Sequence, residues 1–496
     1  MKNSLVRVVA FLLVLLLTTS PIWATCGGGG GGGGGGMSGG GNNSGGENPA
    51  VYHVPWKKVD PKTAPQGSGL ILYWFVGATT QESAKAEIKT SGLLESRDLS
   101  LYAKECVSMQ LDDGHSPYAP NAKTLIGDSK LPIVVLATPE GSVVGRAENA
   151  NGKIKLADVE KLVGNEVKNR KANMDATLKD AKTKVAAGDK SGAIALYQRV
   201  LAEKCMFADK AKDAAKELKK LGVENIGEIA PEPNFDPAVS ASIVKLMKKG
   251  LVAENAGRYI LSEQFYSRAR TLDPADPTPL RYLAELHRHH KGNWMKAKRE
   301  FNQILDMPAD PLSRAVAMHG LGKITIHEGE FLKGMHLMED SVTEYPTALA
   351  NRNLAVYWNS EHDFAKGSYY TDNALALDPD DAYNIIFAAV FKAMAGQKEE
   401  ALAIATRHID LLPASYNLAA IYAQLGQKEK ALELLKRHFY KYERYQDVRT
   451  KEMMEARVDA VFDSLREDKD FLALTRFADG RLPMPASNGG GMSANE

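Results

Sequence analysis

A chain of 496 residues has room for about three domains, and 44% hydrophobic with 25% charged residues is the make-up of ordinary globular protein. A net charge of +1 excludes a global electrostatic pull toward nucleic acid or an acidic membrane. Three cysteines exclude a dense disulfide framework, and Cys106 and Cys205 each read as a buried small hydrophobe rather than half of a bridge.

Residues 1–25 read as a signal peptide. Lys2 and Arg7 form a positive start, Val8 to Leu17 is apolar but too short to span a bilayer, and Ile22-Trp23-Ala24 suits signal peptidase. The expectation is an exported protein, periplasmic or in the cell envelope. Cys26 leaves two readings open: lipidation, giving membrane anchoring, or a free N-terminus, since Trp23 and Thr25 fit a lipobox poorly. Residues 26–50 are Gly-rich and read as a flexible linker.

Residues 51–167 show a mixed pattern. Leu70 to Val76 is an apolar run, a buried-strand candidate, and Ser83 to Leu94 reads as helix. Cys106 to Leu111, Ile133 to Ala137 and Ser142 to Arg146 read as further strands, the last two joined by the turn Thr138-Pro139-Glu140-Gly141. Leu156 to Val167 reads as a closing helix. This order resembles the thioredoxin fold, with Leu131-Pro132-Ile133 in the place of that fold's cis-proline strand. The resemblance implies an α/β domain and a cis Pro132. It departs from the family where the Cys-x-x-Cys should stand: Gly77 to Ser83 contains no cysteine. Dithiol exchange needs a low-pKa thiolate and a resolving partner, so the domain reads as a scaffold without redox chemistry.

Residues 168–221 are helical, Lys-rich and repeat-like, with Gly188, Ala193, Tyr197 and Val200 on a common spacing, and 222–237 is Pro- and Glu-rich and reads as a linker. From 238 to 445 a period near 33–34 residues emerges. Leu321-Gly322, Phe331, Gly334, Met338, Ser341 and Pro346 recur as Leu354-Ala355, Phe364, Gly367, Thr371, Ala374 and Pro379. Small residues mark places where two antiparallel helices cross closely, and each Pro stops a second helix. Leu418-Ala419 and Ala431 mark a late copy, and one copy carries an extra residue near His289. The pattern resembles the tetratricopeptide repeat (TPR), about six units of it. The resemblance implies an all-α solenoid, no enzymatic activity, no cofactor, and a protein or peptide partner on the concave face.

Residues 446–480 read as capping helices and 481–496 as a loose tail. His287 and His290 share a helical face but lack a third ligand at motif spacing, so no metal site is expected. Lys436 to Tyr445 interleaves bases with aromatics; packing of Phe439 and Tyr442 under the cap is the preferred reading over nucleic-acid stacking. A non-enzymatic, extracytoplasmic interaction scaffold is the expected function. The alternative is a thiol-redox or chaperone-like envelope protein using Cys106.

Overall fold

The computed structural model describes residues 50–60, 69–104, 106–114, 119, 121–443 and 446–476. The signal segment, the Gly tract with Cys26, and the tail from 477 lie outside the described residues. The chain is mostly helical, with one small sheet near its start.

The sheet contains β1 (Lys57–Lys58), β2 (Leu70–Phe75), β3 (Val107–Asp112), β4 (Ile133–Ala137) and β5 (Val143–Glu148), in the order β1-β3-β2-β4-β5. β3 runs parallel to β1 and β2; β4 is antiparallel to β2, and β5 to β4. All six residues of β2 are buried because both faces are covered. Leu70, Leu72 and Trp74 join one core, while Ile71, Tyr73 and Phe75 join another with Leu125, as a two-residue side-chain period requires. Around it lie α1 (Gln81–Lys89), α2 (Arg97–Tyr102) and α3 (Ala122–Ile126). The Leu131–Pro132 peptide is cis.

α4 (Leu156–Ala186) is 31 residues long and passes through residue 167 without a break, where the sequence pattern placed a domain boundary. Val159 and Val163 dock its first half on the sheet; Met174, Leu178 and Ala181 dock its second half on α5 (Lys190–Ala202) and α6 (Ala208–Lys220), in one continuous core. That docking overturns the expectation of two separate cysteines. Cys106, at the foot of β3, and Cys205, between α5 and α6, form a disulfide with a Cα–Cα distance of 6.1 Å across 99 residues. Tertiary packing brings together positions that have no proximity in sequence.

Residues 222–236 contain no helix or strand, yet they are docked: Phe235 stacks on Tyr102 at 4.5 Å and the Asn234 amide donates to Asp273 at 2.9 Å.

Six helix pairs follow: α7 (Pro237–Asn255) with α8 (Tyr259–Leu272), α9 (Pro277–Glu285) with α10 (Trp294–Asp306), and α11 (Pro311–His327) with α12 (Phe331–Glu344). They continue as α13 (Ala348–Ser360) with α14 (Phe364–Leu377), α15 (Ala382–Met394) with α16 (Lys398–Arg407), and α17 (Ser415–Gln424) with α18 (Lys428–Arg437). The sequence starts the first five pairs in the same way, while α17 follows a 3₁₀ turn without a side-chain cap. Asp236, Asp276, Asp310, Thr347 and Asp381 accept hydrogen bonds from first-turn amides, and Pro237, Pro277 and Pro311 stand where no amide donor is needed. The turn inside each pair needs a positive φ, supplied by Gly257, Gly292, Gly329, Gly396 and Gly426, and in the fourth pair by His362 at 61°. The extra residue of the second unit is absorbed as a π-helical turn, Leu286–His290. A second π turn, His438–Tyr442, ends the sixth pair and buries Phe439. α19 (Gln446–Val458), a 3₁₀ turn (Ala460–Leu465) and α20 (Lys469–Leu474) close the described chain. No helix among the described residues is long and apolar enough to cross a membrane.

Candidate functional site: the inner face of the solenoid

The small residues singled out by the repeat pattern sit at helix crossings. A Cβ on Gly322 would lie 2.8 Å from the Gly334 carbonyl oxygen, and one on Gly334 would lie 2.6 Å from that of Gly322. Gly367 approaches the carbonyl of Ala355 less closely, at 3.3 Å. Ala355, Ala419 and Ala431 are fully buried. Pro346 and Pro379 are exposed, just past the ends of α12 and α14. Pro132 is buried, its ring against Gly77. These residues build the solenoid or the sheet through packing. Cys26 is outside the described residues.

The helices themselves divide the surface. A second helix such as α8 buries four of fourteen residues, a single stripe. The first helices are enclosed: α9 buries all nine of its residues, and α11 buries thirteen of seventeen. Packing within the stack covers one side of them; the chain's own ends cover the other. At one end, the segment 51–59 lies along the first three pairs. Val51 and Tyr52 enter the core of the first two pairs, the Tyr52 hydroxyl donates to Asp276 at 2.8 Å, and the Tyr345 hydroxyl donates to the Trp56 carbonyl at 3.2 Å. Arg97 of α2, 4% exposed, donates to Asp273 at 2.6 Å and Asp276 at 3.0 Å.

At the other end, α19 turns inward. Its Met453 and Ala456 pack on the sixth pair. Glu455 meets His327, at the end of α11, at 2.8 Å. Glu452 stands 3.5 Å from His438 and acts electrostatically on Arg288, beyond α9. Tyr442, just before α19, lies near both Tyr259 of the first pair and Tyr383 of the fifth. The segment from Tyr442 to Ala456 thus comes near residues of the first, second, third, fifth and sixth pairs.

The wall it faces is basic. Arg281, Lys323 and Arg352 come from α9, α11 and α13 and are 1%, 7% and 8% exposed. Arg281 donates to Ser313 at 3.3 Å; Arg352 donates to Asn384 and lies 4.6 Å over the Tyr383 ring. Among the described residues, Lys323 has no hydrogen bond or ion pair. His319 is held well below the ordinary imidazole range by burial and by the charges of Arg288, Lys323 and Arg352, so it is neutral; its Nε2 is 2.6 Å from Asn353 Nδ2. His289 is lowered likewise, by burial, then by His290, Arg288 and Lys323. Burial pushes Glu443 well above the carboxylate range, Glu452 adds to this, and Arg449 opposes it. A small cleft remains toward the last pairs, where Val356, Phe387 and Phe391 meet Asn417 and Asp459.

His287 is held between Glu300 at 2.7 Å and Glu263 at 2.8 Å. Burial opposes its charged form, but the hydrogen bonds to both carboxylates outweigh burial and raise its pKa. It is a structural ion pair. Among the described residues no group of three or more His, Cys, Asp or Glu is placed to hold a metal.

The basic wall escaped the sequence reading, although a signal existed. Arg281, His319 and Arg352 occupy one template position, two residues before Leu283, Leu321 and Leu354. Neither end segment carries a comparable signal.

The period, the antiparallel pairs and the small-residue crossings define a solenoid of helix-pair repeats that resembles the tetratricopeptide repeat. No family model matches the chain. Over 144 residues it is 27% identical to the Protein CTR9 homolog of Arabidopsis thaliana, a match covering 27% of this chain and 13% of that relative. Among solved structures it is similar to YrrB, a TPR protein with an unusual peptide-binding site, at 19% identity and a TM-score of 0.23, over 35% of this chain and 90% of that one. It is also similar to a tetratricopeptide repeat protein from Parabacteroides merdae ATCC 43184, at 15% identity and a TM-score of 0.31, over 56% and 96% of the two chains.

Proposed function

We propose that this protein is an exported, non-enzymatic scaffold that binds a protein partner through its TPR-type solenoid. The observation that carries this reading is the inner wall: cations, amides and phenols from successive first helices converge on one buried surface, which is a means of recognising polypeptide rather than of activating a bond. A partner engages the inner face where it opens near Phe391 and Asn417, or by displacing what lies on it. The sheet order and the cis peptide at Pro132 support reading the first domain as thioredoxin-like, stripped of its dithiol. The Cys106–Cys205 disulfide supports export, since such bonds persist in oxidising compartments. Lipidation of Cys26 and a free N-terminus stay the two readings for the start of the chain.

Photo-crosslinking tests the reading. A crosslinker at Asn417, beside the opening, captures a discrete partner from envelope extract, whereas one on an exposed second-helix residue such as Lys333 does not. Equal capture at both positions sinks the reading. The disulfide also gives the redox alternative a specific observation, because it supplies Cys106 with the second thiol that its sequence neighbourhood lacks. Cys106 is 4% exposed, which opposes attack on it. Insulin reduction above background that disappears in Cys106→Ala would favour that alternative.

A further inference from the structure

The geometry points to the inner face as a receptor for an acidic helical segment of a partner, with α19 as its built-in and displaceable occupant. This rests on the scaffold reading and names its partner class. α19 presents Glu452 and Glu455 three residues apart, hence on one helix face, and both are buried, at 7% and 6% exposed. The groups that receive them come from elsewhere in the solenoid: His327 from α11 meets Glu455 and His438 from the turn after α18 stands near Glu452, while Arg288, itself paired with Glu285, adds a more distant attraction to Glu452. A helix that merely capped the sixth pair would need none of these contacts; Met453, Ala456, Phe462 and Phe471 already provide the cap.

The fit of α19 is incomplete, which makes it exchangeable. Among the described residues, Glu452 Oε2 and Glu443 Oε1 are buried without a hydrogen bond, as is His289 Nε2 on the opposing wall. Lys323, more than nine-tenths buried and without a hydrogen bond or ion pair among the described residues, acts electrostatically on that same His289. Buried polar groups left open are costly. A segment whose carboxylates satisfy them, with one within reach of Lys323, therefore competes with α19 on better terms. The charge of the wall selects the buried face of the segment: carboxylates at i and i+3 on that face, as in α19, are attracted, and cations in their place are repelled.

The test uses the full chain and a fluorescein-labelled peptide copying residues 446–458. Hydrogen exchange follows the α19 amides and anisotropy follows the peptide. In the Glu452→Gln/Glu455→Gln chain, α19 amides should exchange at least tenfold faster while the six helix pairs keep their protection. The peptide should bind that chain at least tenfold more tightly than wild type. Lys323→Glu in the same background should weaken it at least threefold, and a peptide with both glutamates changed to glutamine should not bind. Unchanged exchange in the double variant overturns the proposal, as does a freed α19 with no peptide binding, or equal binding to wild type. Should the double variant lose protection throughout, the wild-type chain decides alone: excess peptide accelerates exchange of its α19 amides, or the proposal falls. Failure here with discrete capture at Asn417 leaves the scaffold standing and removes only the acidic-helix class.

Discussion

Gly322 and Gly334 face each other across the α11–α12 crossing, and a methyl group on either would strike the carbonyl oxygen of the other. The two backbones touch because neither residue has a side chain, and the flanking Met338 and Ile326 fill the space around the contact. Gly334→Leu is expected to lower stability by about 1–3 kcal/mol through overpacking. Gly367→Ala should be close to neutral: its Cβ would sit 3.3 Å from the Ala355 carbonyl, and alanine recovers about 1 kcal/mol of helix propensity. Denaturant midpoints of the two variants check the contrast, and equal losses would contradict it.

Arg97 is the polar joint between the sheet domain and the solenoid. Besides Asp273 and Asp276 it donates to the Asn234 carbonyl at 2.9 Å and to Ser240 at 2.6 Å. Removing one partner of a buried ion pair strands the other charge, at a cost of about 3–5 kcal/mol. Arg97→Met should cost that much and should release the first domain before the helix pairs unfold. Limited proteolysis that cuts the variant no faster near residue 230 than wild type would count against the joint.

The Cys106–Cys205 disulfide closes a loop of 99 residues. Constraining the unfolded chain over such a loop contributes about 2–4 kcal/mol. The Cys106→Ser/Cys205→Ser chain should therefore melt at lower temperature than the oxidised protein, and peptide mapping without reductant should recover the two cysteines linked. Two free thiols in protein purified under oxidising conditions would refute the pairing.

Asp459 gives the cap a pH dependence of definite sign. Burial pushes its pKa up to about 7, against hydrogen bonds from the Val461 amide and the Tyr416 hydroxyl, with Glu455 and Asp463 adding to the rise. A carboxyl whose folded pKa exceeds its unfolded value of 3.8 stabilises fully below that value and loses its contribution as pH rises through about 7. Asp459→Asn should therefore gain on wild type in melting temperature between pH 5 and pH 8. His319 and His289 act in the opposite sense, losing stability as pH falls, so the difference between the two chains at each pH is the quantity to follow. A difference that stays constant would show that Asp459 does not carry the effect.

The solenoid was readable because its physics is periodic: small residues at crossings and breakers after second helices must recur for the units to stack, and even the extra residue near His289 left a trace that became a π turn. What could not be read depends on partners without a period. Nothing near Cys106 announces Cys205. The helix α4 continues through residue 167 because both its halves find cores to dock on, which local composition does not reveal. The candidate site suffered most. Val51 to Trp56 and α19 have no motif, and their role follows only from where the curvature of six stacked pairs brings them. Those two segments pack against the first helices, where a peptide was expected to bind.

The bond from Tyr345 to Trp56 joins residues 289 positions apart, and this sets an order of events during synthesis. Val51 and Tyr52 are made before the helices of the first two pairs, which bury them, and Trp56, itself held in the core of the sheet domain, meets Tyr345 later still. At about 5–20 residues per second, the segment waits roughly 15–60 s for its seat to exist. Repeat arrays propagate pair by pair, so the pairs assemble without it and an early stretch of chain docks onto helices made later. During that interval Val51 and Tyr52 lack the core of the first two pairs that buries them, while Trp56 is already held against Trp74 of the sheet domain, so it is the head of the segment, not its whole length, that stands bare.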